Sequence, residues 1–100
     1  MDLKNYGSII TEKEIASLVY NDIIKTLKSE ESITIDCNGV MTMATFCAKQ
    51  IFGQLYLELT PIEFNKKINL KNVSEDLELA IRWGILHAIE ETEKNDLVKS

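Results

Sequence analysis

The chain has 100 residues, 45% of them apolar and 27% charged, which is the composition of one globular domain and excludes a disordered segment. Its net charge of -5 argues against a nucleic-acid partner, because a phosphate backbone requires a basic face. No apolar run approaches the ~20 residues of a membrane span, and Met1-Asp2-Leu3-Lys4 lacks the apolar core of a signal peptide, so neither a membrane nor export is expected.

Leu3–Tyr6 reads as a short first strand, ended by Gly7-Ser8. Thr11 and Glu14 have the spacing of a capping box, and Ile10 and Ile15 that of a hydrophobic staple, so a helix is expected from Thr11. Its apolar face is Ile15, Leu18, Val19, Ile23 and Leu27, and it ends near Lys28 in a polar run. Ser32–Cys37 alternates, with Ile33, Ile35 and Cys37 on one face and Thr34 and Asp36 on the other, which predicts a strand. Asn38-Gly39 breaks it, and a loop spans Asn38–Thr45. Ala48, Ile51, Phe52, Leu55, Tyr56 and Leu59 then take the spacing of one helix face. Pro61 closes that helix, since the residue before a proline is pushed out of helical geometry. Gly53 inside it costs ~1 kcal/mol relative to alanine, which implies close packing there, by the sheet or else by a partner.

Lys67–Leu70 is a second clear strand with Ile68 and Leu70 inward, and Asn72 suits the turn after it. Ser74 is the N-cap of a third helix, with Glu75 and Asp76 at the positive end of its dipole. Leu77, Ile81, Ile85, Ala88 and Ile89 form the inner face of that helix, Leu79, Trp83 and Leu86 fall outside it, and a polar tail that frays starts at Thr92. The order β-α-β-α-β-α predicts a single α/β domain, with right-handed crossovers that put the helices on one face of a small sheet or split them between faces. Ile35, Ile51, Phe52, Leu55, Ile68, Leu70, Ile81 and Ile85 are expected in one core.

Chemistry is sparse. His87, the only histidine, lies on the third helix away from any nucleophile motif and reads as a surface or half-buried side chain. One histidine and two separated cysteines make no zinc site, and no Walker or G-x-G-x-x-G pattern offers a phosphate cradle, so no metal or cofactor is expected. Cys37 and Cys47 form no C-x-x-C motif, which fits reduced thiols in the cytoplasm. Cys47, near a helix start, is either a reactive thiolate or a small buried hydrophobe. Asp36 at a strand end either holds the following loop through its backbone N–H groups or contacts a ligand. Lys66, Lys67 and Lys71 read as a solvated strand edge.

The runs ITIDCNGV, FGQLY and INLKNVSEDLELAIRWGILHA, with YGSII upstream, resemble the STAS-like domains of unknown function, small bacterial proteins related in fold to anti-sigma-factor antagonists. The resemblance covers most of Tyr6–Glu91 and implies a STAS-like sandwich with helices mainly on one face of the sheet. It also implies a non-enzymatic signalling module whose protein partner is a GHKL-type ATPase or kinase. In the antagonists the loop before the second helix carries a serine that the partner phosphorylates, usually after an aspartate. Thr45 falls at that place, with Thr42 close by and Ala44 in the aspartate's position, so Thr45 is either a regulated site or a plain N-cap. Asp36, Asn38, Met41, Thr42, Met43, Thr45 and Phe46 are therefore the expected partner-binding or regulatory residues, with Met41, Met43 and Phe46 partly exposed, as suits an interface. The alternative is a small-ligand, nucleotide or anion site at the strand-end loop and helix N-terminus; an enzyme acting through Cys47 is the third.

Overall fold

Leu3 and Tyr6 stand one 3-10 turn apart, and in the computed structural model Leu3–Tyr6 is that turn rather than a strand. Asn5 N–H bonds the Asp2 carbonyl at 3.1 Å and Gly7 N–H the Lys4 carbonyl at 3.0 Å, burying Leu3. The first strand lies later, at Ile9–Ile10 (β1). The structure describes the backbone of residues 1–99 and the side chains of residues 1–94.

Helix α1, Lys13–Ser29, buries Ala16, Val19 and Ile23, half-buries Ile15 and Leu27, and leaves the expected inward residue Leu18 exposed. The capping box does not form. Glu12 occupies the N-cap and no side chain caps the helix. Its first turn is held by another helix instead: the Gln50 amide donates to the Lys13 carbonyl at 3.3 Å, and the Cys47 thiol faces the Glu12 carbonyl at 3.6 Å. These contacts fall on carbonyls and anchor the start of the helix; they do not cap its free N–H groups.

β2, Ile33–Asp36, pairs in parallel with β4, Ile68–Lys71, in the register Ile33 to Ile68 through Asp36 to Lys71. Ile33, Ile35 and Ile68 are buried while Thr34 and Asn69 are exposed, so this sheet is covered on one face. The expected single sheet is in fact two. The segment Asn38–Thr45, read as loop, contains a strand β3, Thr42–Met43, which pairs in parallel with β1. Met41 N–H to the Ser8 carbonyl and Ala44 N–H to the Ile10 carbonyl, both 2.8 Å, extend that two-residue ladder.

The second helical region is a rod of three parts. A turn α2, Thr45–Ala48, leads into a π-helical segment, Lys49–Gly53, and then α3, Gln54–Lys67. The expected apolar face holds: Ala48, Ile51, Phe52 and Leu55 are buried, with Tyr56 and Leu59 packed against the core. The rod breaks at Thr60, whose φ is 69°; the following Pro61 disfavours helical geometry at Thr60 but does not account for its positive φ. Helix then resumes with Pro61 at its first position, where a missing N–H costs nothing. Thr60 caps this new turn through the Glu63 N–H at 3.4 Å, and Phe64 packs edge-on against Tyr56 at 5.4 Å.

Asn72 turns the chain after β4 with a φ of 56°, and the Ser74 hydroxyl accepts the Leu77 N–H at 3.1 Å, as expected of an N-cap. Helix α4, Glu75–Lys99, runs through the stretch after Thr92 that the sequence reads as a fraying tail. It buries Leu77, Ala80, Ile81 and Ala88, with Ile85 and Ile89 half-buried. Leu70 and Ile85 are the two expected core residues that lie at its margin. Among the described residues, no helix is long and apolar enough to cross a membrane.

Gly53 meets α4, not the sheet. A Cβ there would lie 2.8 Å from the Ala88 Cβ and 2.9 Å from the Gly84 carbonyl oxygen. A Cβ on Gly84 would lie 2.6 Å from both the Ala48 carbonyl carbon and the Lys49 nitrogen. In an isolated helix Gly84→Ala would gain about 1 kcal/mol; here it is expected to destabilise by about 1–3 kcal/mol, because backbone atoms must shift to admit the methyl. Phe52→Ala, which empties a fully buried ring site, is expected to cost about 3–5 kcal/mol. Urea denaturation of the two variants against wild type measures both.

Candidate functional site

The expected site residues do not form one cluster; the fold distributes them over three neighbouring stations. The first is the C-terminal end of the β2–β4 pair. Asp36 Oδ1 accepts the Asn38 backbone N–H at 3.0 Å and the Asn72 side-chain amide at 3.1 Å. Oδ2 faces the Lys71 ammonium at 4.0 Å. The Asn38 and Asn72 bonds, helped by the charges of Lys71 and Lys4, hold the Asp36 carboxyl below its ordinary range. Oδ1 thus clamps the turns after β2 and β4, the loop-holding role expected of this residue.

The second station is the strand β3 and its flanks. Met41 is 65% exposed, yet its backbone is fixed on both sides: its N–H bonds the Ser8 carbonyl and its carbonyl accepts the Ser74 hydroxyl at 3.1 Å. Thr42 is half-buried. Met43 is a correction, being 3% exposed rather than displayed. In a strand neighbouring residues point to opposite sides, and pairing with β1 turns Met43 into the core.

The third station is the start of the rod. Thr45 is the first helical residue, half-buried, and not the N-cap; that position belongs to Ala44, whose side chain can cap nothing. The Ala44 carbonyl accepts the N–H groups of both Cys47 and Ala48 at 3.0 Å. Phe46 is 54% exposed and opens onto a shallow groove of about 630 Å³, whose walls include Lys13, Lys49, Gln50 and Leu57. Lys49 is ion-paired with Glu91 across it. The sequence reading passed over this groove because it joins the first turn of α1 to the far half of α4, a juxtaposition no local pattern carries. Its one legible sign is Leu57, an apolar residue off the buried face of its helix.

Both thiols are buried, and burial raises their pKa, that of Cys37 to about 11 with a further push from Asp36. Cys47 is fully buried, which fits the small buried hydrophobe of its two readings. His87 is exposed on α4, its ring tilted against Trp83 at 5.8 Å.

The Asp36 clamp has a pH signature. A carboxyl whose pKa is lowered in the fold contributes stability that is present above its ordinary value of 3.8 and is lost as pH falls through the folded-state value. Asp36→Asn should therefore be less stable than wild type near neutrality, and the gap should narrow as pH falls below 3.8; denaturation midpoints across acid pH measure it.

No curated protein and no solved structure matches the chain. Residues 16–78, from α1 through β2, the rod and β4 into the first turn of α4, match the family described as STAS-like domain of unknown function (DUF4325). With well over half of its length covered, and with the α/β architecture described above, the chain belongs to the STAS-like domains of unknown function.

Proposed function

We propose that this domain is a non-enzymatic regulatory module that binds a protein partner through the Met41–Phe46 segment, in the cytoplasm, and that the partner is an ATPase or kinase of GHKL type. The observation that carries the reading is a pair of large apolar side chains, Met41 and Phe46, exposed on backbone that is already fixed. Methionine and aromatic residues are over-represented at interface centres. Pre-fixed backbone leaves little ordering cost for a partner to offset. The partner type comes from the family's kinship with anti-sigma-factor antagonists.

Thr45 lies between the two, at the first helical position. A phosphate there would bring about -1.5 to -2 charges into the contact, at the helix end where negative charge is tolerated by the fold. A single modification would then release the partner without unfolding the domain. The small-ligand alternative has less behind it. Asp36 puts a carboxylate at the strand end, and the Cys47 and Ala48 N–H groups are already used by Ala44.

The test is a pull-down from the native host with wild type, Thr45→Glu and Met41→Lys/Phe46→Lys, each checked by a thermal melt. Wild type should retain a specific protein that both variants lose, with melting midpoints nearly unchanged. A partner held equally by all three would sink this assignment of the surface, and unfolding by Thr45→Glu would mean that Thr45 serves only the core.

A further inference from the structure

Helix α4 turns a second apolar set outward. Leu79, Trp83 and Leu86 are 54%, 47% and 41% exposed. Their i, i+4, i+7 spacing stacks them in one stripe, opposite the face that Leu77, Ala80, Ile81 and Ala88 bury. A tryptophan at the middle of an exposed apolar stripe is the residue type that most often anchors a protein interface.

Charge decides what covers it. Glu75 and Asp76 stand at the start of the stripe and Glu90 at its end, roughly 22 Å apart at 1.5 Å per residue. All three are exposed, and among the described residues none is in an ion pair. Arg82, the cation beside Trp83, is neutralised by Glu78 at 2.8 Å. The stripe is thus apolar in the middle and anionic at both ends. A second copy of the chain fits badly: paired parallel or antiparallel, its carboxylates would meet carboxylates, between two bodies of net charge -5. A membrane with anionic lipids is repelled for the same reason.

We propose that the Leu79–Trp83–Leu86 stripe is the docking site for an amphipathic helix of a partner protein, one whose apolar ridge carries lysine or arginine at both ends. The apolar ridge packs on Trp83 and the two leucines, and the terminal cations meet Glu75, Asp76 and Glu90. Rim charges of this kind set orientation and salt dependence more than affinity. This surface is independent of the Met41–Phe46 segment.

Trp83 is the only tryptophan, so its emission reports on the stripe directly. The probe is a synthetic helical peptide with leucines at i, i+3 or i+4 and i+7 and lysines at both ends. Its control keeps the leucines and replaces each lysine by glutamate. The full chain is titrated with each. The lysine peptide should shift Trp83 emission to the blue and bind at least about tenfold tighter, or 1.4 kcal/mol, than the glutamate peptide. Leu79→Gln/Leu86→Gln, both at exposed positions, should weaken it by a similar factor, and Glu75→Gln/Glu90→Gln should flatten its salt dependence. Equal binding to wild type and the double-glutamine leucine variant, or equal binding of both peptides, would overturn the proposal. So would a dimer in sedimentation that Leu79→Gln/Leu86→Gln disperses, since the occupant would then be a second copy.

Discussion

Two glycines facing each other set how close the central rod and α4 approach. Gly53 and Gly84 leave no room for a methyl group, and Ala48 and Ala88 flank them, so the two backbones touch where side chains would ordinarily hold helices apart. That approach lets Ile51, Phe52 and Leu55 from the rod and Leu77 and Ile81 from α4 reach a common core. The rod is π-helical along this stretch, Lys49–Gly53, a wider turn lying where the facing backbone is nearest. α1 depends on the same place, because Gln50 and Cys47 supply the contacts that hold its uncapped first turn. The start of the rod follows too: Thr45 and Phe46 lie directly before the π-helical segment, so the crossing that packs the core also aims the candidate contact residues.

Much of the architecture was readable where pattern and packing agree. Ser32–Cys37 alternated cleanly because one face of the β2–β4 pair is buried and the other is wet, and the Ala48–Leu59 stripe was clear because the rod buries one side only. Ser74 capped as its position required. The misreadings share a cause. Thr11 and Glu14 had the right local spacing, but the start of α1 is anchored through its carbonyls by Gln50 and Cys47 of the rod, which sequence proximity cannot reveal. Leu3–Tyr6 offered its apolar residues three apart, a 3-10 repeat, and β3 was too short for an alternation to register. Gly53 announced a close contact without naming the neighbour; Ala80, Gly84 and Ala88, small residues spaced four apart on α4, were the matching half of the signal.

The site was legible as a segment and not as a surface. Asp36 took its loop-holding role, and Met41 and Phe46 are displayed. Met43 is not, because a two-residue strand fixes which way each side chain points. The groove beside Phe46 belongs to three helices at once, and only the assembled fold brings Lys13, Lys49 and Leu57 to one place.

All strand pairings in the two sheets are parallel, and each joins residues distant in sequence: Ile9 with Thr42, Ile33 with Ile68. Among the described residues there is no hairpin to serve as an early nucleus. Closing either ladder requires a long loop to be ordered first, with the entropy that entails. Helices form on local contacts, whereas both ladders depend on distant ones, and topology of that kind slows folding. The Asp36–Asn72 bond has the same long-range character, tying the ends of β2 and β4 together across the whole length of the rod between them.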